Sequence, residues 1–255
     1  MILAIDIGNT NIVIGCIDQE QIYFVERVST DREKTALEYA VVFKSVLELY
    51  SIDPHETEGS IISSVVPPIN HAICDAVKKI IGKEPMLVGP GVKTGLNIVI
   101  DNPAQLGSDL VVNAVAALKE YQPPLVIIDM GTATTISAVD GKGNYLGGAI
   151  IPGVRVALDS LVNRTSQLSR ISLDAPKKAI GRNTIECMKS GSILGNAAML
   201  DGMIDRFQAE LETKATVVAT GGLSQFIIPH CTHEIIYDDG LLLKGLWYIY
   251  ERNCC

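Results

Sequence analysis

The chain has 255 residues, 47% hydrophobic and 20% charged, enough for one large core or two small ones, with no tract polar enough to stay disordered. A formal net charge of −8 argues against the broad basic face that nucleic-acid binding requires. No apolar run is long enough to span a bilayer, Asp6 interrupts the N-terminal one, and the six cysteines form no CxxC or disulfide framework. The expectation is an ordered cytoplasmic protein with reduced thiols and no nucleic-acid or membrane partner.

In chain order, Met1–Asp6 and Asn11–Ile17 read as a hairpin and Gln21–Val28 as a third strand. A helix follows, capped by Thr30 or Asp31, with an apolar stripe of Leu37, Tyr39, Ala40, Phe43, Val46, Leu47 and Tyr50. Gly59–Val66 is an apolar strand ended by Pro67-Pro68, Ala72–Ile81 a second helix, and Pro85–Val88 a short strand. The Gly/Pro-rich stretch Gly89–Pro103 leads into a helix from Ala104 to Tyr121, which Pro123-Pro124 breaks. The second half repeats the order with strand Leu125–Asp129, a polar turn, strand Ile136–Val139, a turn at Asp140–Asn144 and strand Tyr145–Ile151. Helices Val154–Val162 and Thr184–Leu211, strand Ala215–Ala219, the turn Thr220-Gly221-Gly222 and a closing helix Leu241–Arg252 complete it. Two α/β domains are expected, residues 1–121 and 122–255, each a mixed sheet flanked by helices, with ligands in an interdomain cleft.

One pattern opens both halves: AIDIGNTNI at residues 4–12 and IIDMGTATT at 127–135. Asp6 and Asp129 lie 129 − 6 = 123 residues apart, about one domain, which points to duplication. Each copy is a strand, a tight polar turn and a second strand. Gly8, Asn9, Thr10 and Asn11 at one tip, and Gly131, Thr132, Thr134 and Thr135 at the other, supply N–H, amide and hydroxyl donors for phosphate. The carboxylate beside each can hold a cation. The plainer alternative makes each Asp the cap of its turn, though a turn alone does not require the same residues twice. No Walker sequence occurs.

Gly221 and Gly222 either let backbone approach the flat ring of adenosine or simply make a strand-to-helix turn, where Gly is also common. Asp109, in the first turns of its helix, either complements the helix dipole or takes a hydroxyl proton as general base. The string His230-Cys231-Thr232-His233 offers too few ligands for a metal and reads as a loop.

Seven segments in order, DIGNTN (Asp6–Asn11), GPGVKTGL (Gly89–Leu96), DNPAQLGSD (Asp101–Asp109), DMGTATT (Asp129–Thr135), IPGV (Ile151–Val154), IGRNT (Ile180–Thr184) and TGG (Thr220–Gly222), resemble the type III pantothenate kinases. These belong to the acetate kinase/sugar kinase/Hsp70/actin superfamily. The resemblance implies an α/β fold of duplicated ribonuclease H-like, actin-like ATPase domains. It also implies ATP-dependent phosphorylation of pantothenate to 4'-phosphopantothenate, the first step towards coenzyme A.

By the same resemblance, Asp6, Ile7, Gly8, Asn9, Thr10, Asn11, Ile12 and Val13, with Thr132, hold the ATP phosphates, and Asp6 lies near Mg²⁺. Asp129 takes a monovalent cation, K⁺ or NH₄⁺, and Asp109 is the base. Ile100, Gly107, Ser108, Asp109, Leu110 and Thr184 line the pantothenate pocket, which the second subunit of a homodimer completes. Two positions depart from the family. Gly107-Ser108-Asp109-Leu110 stands where it has Gly-Ala-Asp-Arg, and Ile100 stands where it has Tyr before Asp-Asn-Pro. The first change removes a charge-assisted donor for the substrate carboxylate, which Lys93, Arg155 or Arg182 would replace. Alternative readings are a kinase for another small hydroxy acid, a non-catalytic nucleotide-binding regulator, and a phosphatase of the same fold.

Overall fold

A computed structural model describes residues 1–254. They divide into two compact units, the first formed by Met1–Leu96, Asp101–Lys119 and the chain from Gly240 on, the second by Asn97–Ile100 and Glu120–Asp239.

The first unit is built on β1 (Ile2–Ile7), β2 (Asn11–Ile17), β3 (Ile22–Ser29), β4 (Gly59–Ser64) and β5 (Met86–Leu87), in the order β3-β2-β1-β4-β5. β1 runs antiparallel to β2 and parallel to β4. All six residues of β1 are buried, as befits a strand covered on both faces. Leu3, Ile5 and Ile7 pack with α1 (Ala36–Leu49), through Tyr39, Phe43 and Leu47, and with α2 (Asn70–Ile81), through Ile73 and Val77.

The last helix, α7 (Leu241–Cys254), belongs to this unit, whereas a boundary at 121/122 would put it in the second half. It packs so closely on the sheet that a Cβ at Gly59 would lie 2.2 Å from the Tyr250 hydroxyl, and one at Gly15 2.6 Å from Leu243. Its Gly245 lets the helix meet the Val112 carbonyl of α3 (Ser108–Glu120), which a Cβ would approach to 2.1 Å. An apolar stripe shows that a helix will be covered, but not which sheet covers it.

Two helix starts differ from expectation. α1 is capped by Thr35, not Thr30 or Asp31, because Thr35 and Glu38 form a reciprocal capping box, with Thr35 N–H donating to Glu38 Oε2 at 2.8 Å. Leu37, 65% exposed, and Tyr50 fall outside its buried stripe. α3 begins at Ser108 and not Ala104, since Pro103–Gln105 forms a separate 3₁₀ turn and Leu106 is extended.

The second unit repeats the topology. β7 (Leu125–Met130), β8 (Ala133–Val139), β9 (Asn144–Pro152), β10 (Thr216–Thr220) and β11 (Ile236–Tyr237) run β9-β8-β7-β10-β11, with β6 (Asn97–Ile98) added in parallel beside β9. Val126, Ile128 and Met130 of β7 pack against Ile193, Ala197, Leu200 and Ile204 of α5 (Thr184–Glu210). α4 (Val154–Asn163) and the four-residue α6 (Ser224–Ile227) complete it. β6, β11 and α6 are too short to leave a hydrophobic period in the sequence. No helix among the described residues is long and apolar enough to cross a membrane.

Candidate active site

In the first unit, the parallel register of β1 and β4 sets Asp6 opposite Ser63 and Ile7 opposite Ser64. Asp6 is only 8% exposed at the carboxyl end of its strand. Beyond it the chain turns through Gly8, Asn9, Thr10 and Asn11 before Ile12 pairs with Ile7. Gly8 N–H donates to the Asn11 carbonyl at 3.0 Å and closes the turn. Thr30 fastens it from outside, its hydroxyl donating to Gly8 O at 2.6 Å and its N–H to Thr10 O at 3.0 Å. Asn9, Thr10 and Asn11 are exposed, Ile12 is buried, and Val13 lies half-buried in β2.

Asp109 sits in the first turn of α3. Its Oδ1 accepts from Leu110 N–H at 2.9 Å, and a Cβ at Gly107 would lie 2.4 Å from that same oxygen. Glycine at 107 is therefore what leaves room for the carboxylate. Burial pushes the Asp109 pKa above the ordinary carboxylate value, against the backbone N–H groups of Leu110 and Asp109, which pull it down. Ser108 Oγ lies 2.9 Å from Ser63 Oγ, accepts from Ser64 N–H at 3.0 Å and donates to Ser64 O at 3.0 Å. Asp6, Ser63, Ser108 and Asp109 thus form a continuous path, one register step and one hydroxyl pair long, at the carboxyl edge of β1 and β4. Ligands of open α/β sheets bind outside the carboxyl ends of the strands, at that same edge.

In the second unit Asp129 is half-buried and pairs with Thr220 across the parallel β7–β10 ladder. Gly221 follows at φ +90°, and a Cβ there would lie 2.7 Å from Asp129 Oδ1 and from both Met130 N and O. Gly222 meets no such demand, since a Cβ there would find open space. The β7–β8 turn holds Gly131, Thr132 and Ala133 between paired Met130 and Thr134, and Gly131 N–H donates to Ala133 O at 2.9 Å. Gly153 N–H donates to Thr132 O at 3.1 Å. Thr134 is fully buried and its hydroxyl has no hydrogen-bond partner, so it is not presented at the tip with Thr132 as expected.

The acceptor residues are divided. Gly107–Leu110 lie in the first unit, while Ile100 and Thr184 lie in the second. Ile100 lies beside Gly147, and Thr184 opens α5 after the Asn183 cap, lining an apolar groove of about 430 Å³ with Leu158, Leu161, Leu168, Cys187 and Met188. Of the proposed replacement cations, Lys93 is in the first unit, its backbone held by Asn253 through N–H to Oδ1 at 3.0 Å and Nδ2 to O at 2.9 Å. Arg155 and Arg182 are in the second. Asp201 accepts from the N–H groups of Thr232 and His233, and His233 Nε2 lies 2.8 Å from Asp205, which holds the His-Cys-Thr-His segment as a loop. No group of three or more His, Cys, Asp or Glu among the described residues is placed to hold a metal. Ser63 and Thr30 escaped the sequence reading: one ends an apolar run, and the other mimics a helix cap.

Solved structures share this architecture. A protein described as a Baf family transcriptional activator from Campylobacter jejuni aligns over 99% of this chain and 98% of its own, at a TM-score of 0.59 and 19% identity. Component A of (R)-2-hydroxyglutaryl-CoA dehydratase from Acidaminococcus fermentans covers 99% and 98%, at 0.51 and 13%. With the repeated strand order, they define the fold as that of actin-like ATPases and kinases.

The model of one family, the type III pantothenate kinases, matches residues 2–206. Type III pantothenate kinases of Moorella thermoacetica and an Exiguobacterium species are 43% and 44% identical over 253 residues, covering 99% of this chain and 100% and 99% of theirs. The chain belongs to the type III pantothenate kinase family.

Proposed function

We propose that this chain performs its family's reaction, transfer of the γ-phosphoryl group of ATP to the primary hydroxyl of pantothenate, with Asp109 as general base. The observation that carries the assignment is the path from Asp6 through Ser63 and Ser108 to Asp109, which links a half-buried carboxylate to the polar turn after Asp6. Phosphoryl transfer asks for positioning and charge neutralisation more than for covalent help from the protein. The pantothenate hydroxyl gives its proton to Asp109 as its oxygen bonds to the γ-phosphorus, and the bond to the β,γ-bridging oxygen breaks to release ADP. The products are 4'-phosphopantothenate and ADP.

Backbone N–H groups of residues 9–11, and that of Thr132, are the proposed phosphate donors, since those of Gly8 and Gly131 close their own turns. Gly221 and Gly222 are the proposed adenosine approach. Asp6 fits a divalent ion bound mostly by phosphate and water, because it is one buried carboxylate beside an exposed polar turn and not part of a metal cluster among the described residues. Mg²⁺ bound there would neutralise phosphate charge. Asp129, set where a side chain at Gly221 would collide with it, fits a monovalent ion, K⁺ or NH₄⁺, shared with neighbouring carbonyl oxygens. Lys93, in the same unit as Asp109, is our choice of partner for the pantothenate carboxylate in place of the family arginine. A second copy of the chain is proposed to cover the groove at Thr184, whose neighbour Ile185 is half exposed. Sedimentation would show a dimer that Ile185→Asp disrupts.

The deciding experiment is ADP release measured with pantothenate against a panel of small hydroxy acids. Pantothenate is expected to give the highest kcat/KM. A different acid giving a higher value would move the assignment to that acceptor.

A further inference from the structure

The hydroxyl of Ser108 is fully engaged on β4. It has one hydrogen and two lone pairs, and Ser63 Oγ, Ser64 N–H and Ser64 O lie within 2.9–3.0 Å of it. No donor or acceptor capacity is left for a substrate. The ledge it grips is itself fixed, since Ser64 Oγ donates to Asn70 Oδ1 at 2.5 Å and accepts from Val66 N–H at 3.1 Å. Ser63 is completely buried and Ser108 half-buried, so the pair is only partly open to water. One register step away across the ladder is Asp6, and one residue along the chain is Asp109.

We infer that Ser108 is a positioning residue, whose hydroxyl locks the first turn of α3 onto the end of β4 and so fixes Asp109 relative to the Asp6 turn. The inference rests on Asp109 being the base. It assigns Ser108 a role through the helix start, not through contact with pantothenate. A base displaced by about 1 Å loses roughly 10²-fold in rate, and a loosened helix start gives part of that loss.

The test is Ser108→Ala, with Ser108→Thr as the variant that keeps the hydroxyl and Ser63→Ala as the one that removes the pair from the other side. Ser108→Ala should lower kcat roughly tenfold while the KM for ATP stays within about twofold, and Ser108→Thr should recover at least half of the loss. The acid limb of the kcat profile should also move to lower pH. Asp109 owes its raised pKa to burial, with no charged side chain among the described residues contributing, so water admitted by a loosened turn lowers it. Should Ser108→Ala fail to fold, Ser63→Ala carries the test, with a smaller fall in kcat because Ser108 keeps its bonds to the Ser64 backbone.

Asp109→Asn is run beside them. If it costs at least about 10²-fold while Ser108→Ala, or Ser63→Ala in its place, leaves kcat and the acid limb unchanged, the lock is refuted and the base assignment stands. Equal losses in Ser108→Ala and Ser108→Thr would likewise refute the lock. If Asp109→Asn keeps more than half of the activity, base and lock fall together.

Discussion

The two Asp-x-Gly hairpins share a pattern but not a geometry. In the first, four residues span the turn between paired Ile7 and Ile12, whereas three suffice between Met130 and Thr134 in the second. Asp6 is enclosed and faces Ser63 across its parallel ladder, from which hydroxyl contacts lead to α3. Asp129 is more open and lies against the backbone of Gly221. The outer fastening differs too: Thr30, just after β3, grips the first turn, and Gly153 before α4 grips the second. Duplication kept the strand order while the neighbours of each carboxylate diverged. One residue fewer in a turn and a glycine in place of a serine ledge give the same motif two different surroundings.

The largest effect expected from breaking this asymmetry falls on α3, which the Ser63–Ser108 hydroxyl pair ties to the sheet of the first hairpin. Asp109→Asn should leave ATP binding, read by calorimetry, nearly unchanged and lower kcat by roughly 10²–10⁴-fold. An activity above half of wild type would remove Asp109 from the mechanism.

Next come the two carboxylates. Asp6→Ala should cost about 10²-fold in kcat at every K⁺ concentration, as loss of one charge-stabilising group usually does. Asp129→Ala should instead flatten the dependence of rate on added K⁺ or NH₄⁺. A wild-type enzyme equally active in sodium-only and potassium buffers would count against the cation site.

The glycines sharpen the comparison further. Gly221→Ala places a Cβ 2.7 Å from Asp129 Oδ1 at a positive φ, so urea unfolding should show a loss of about 1–3 kcal/mol. Gly222→Ala points into open space and should stay within about 0.5 kcal/mol.

The smallest effects concern protonation and the acceptor. A base must be ionised to act, and burial raises the Asp109 pKa, so activity should fall with decreasing pH at a value above the ordinary Asp pKa of about 3.9. An acid limb at or below that value would speak against Asp109 as the titrating group. Lys93→Ala should raise the pantothenate KM several-fold and leave the ATP KM near wild type, the signature of lost substrate binding. An unchanged pantothenate KM would transfer that role to Arg155 or Arg182.

Local signals settled a good deal on their own. The apolar runs before Asp6 and Asp129, the alternation through β2 and β8, and the breakers at Pro67-Pro68 and Pro123-Pro124 are properties of neighbouring residues, and they placed most strands and helices within a few positions. The paired Asp-x-Gly strings marked both hairpin tips as candidate ligand sites for the same reason. What depended on residues far apart in sequence was invisible. Thr30 reads as a helix cap but is drawn to Gly8 by the β2–β3 ladder, and Thr35 caps instead because Glu38 can return the bond. Thr134 looks like one more phosphate hydroxyl until the β7–β8 register turns it into the core. α7 is apolar enough to cover either sheet, and only Gly15, Gly59 and Gly245, which admit its close approach, assign it to the first. Ser63 and Ser108 are 45 residues apart, and nothing in either segment names the other. Periodicity and turn chemistry act over a few residues, whereas register and close packing are set by whichever chain arrives opposite, so the elements were written locally and the surroundings of each carboxylate were decided by the fold.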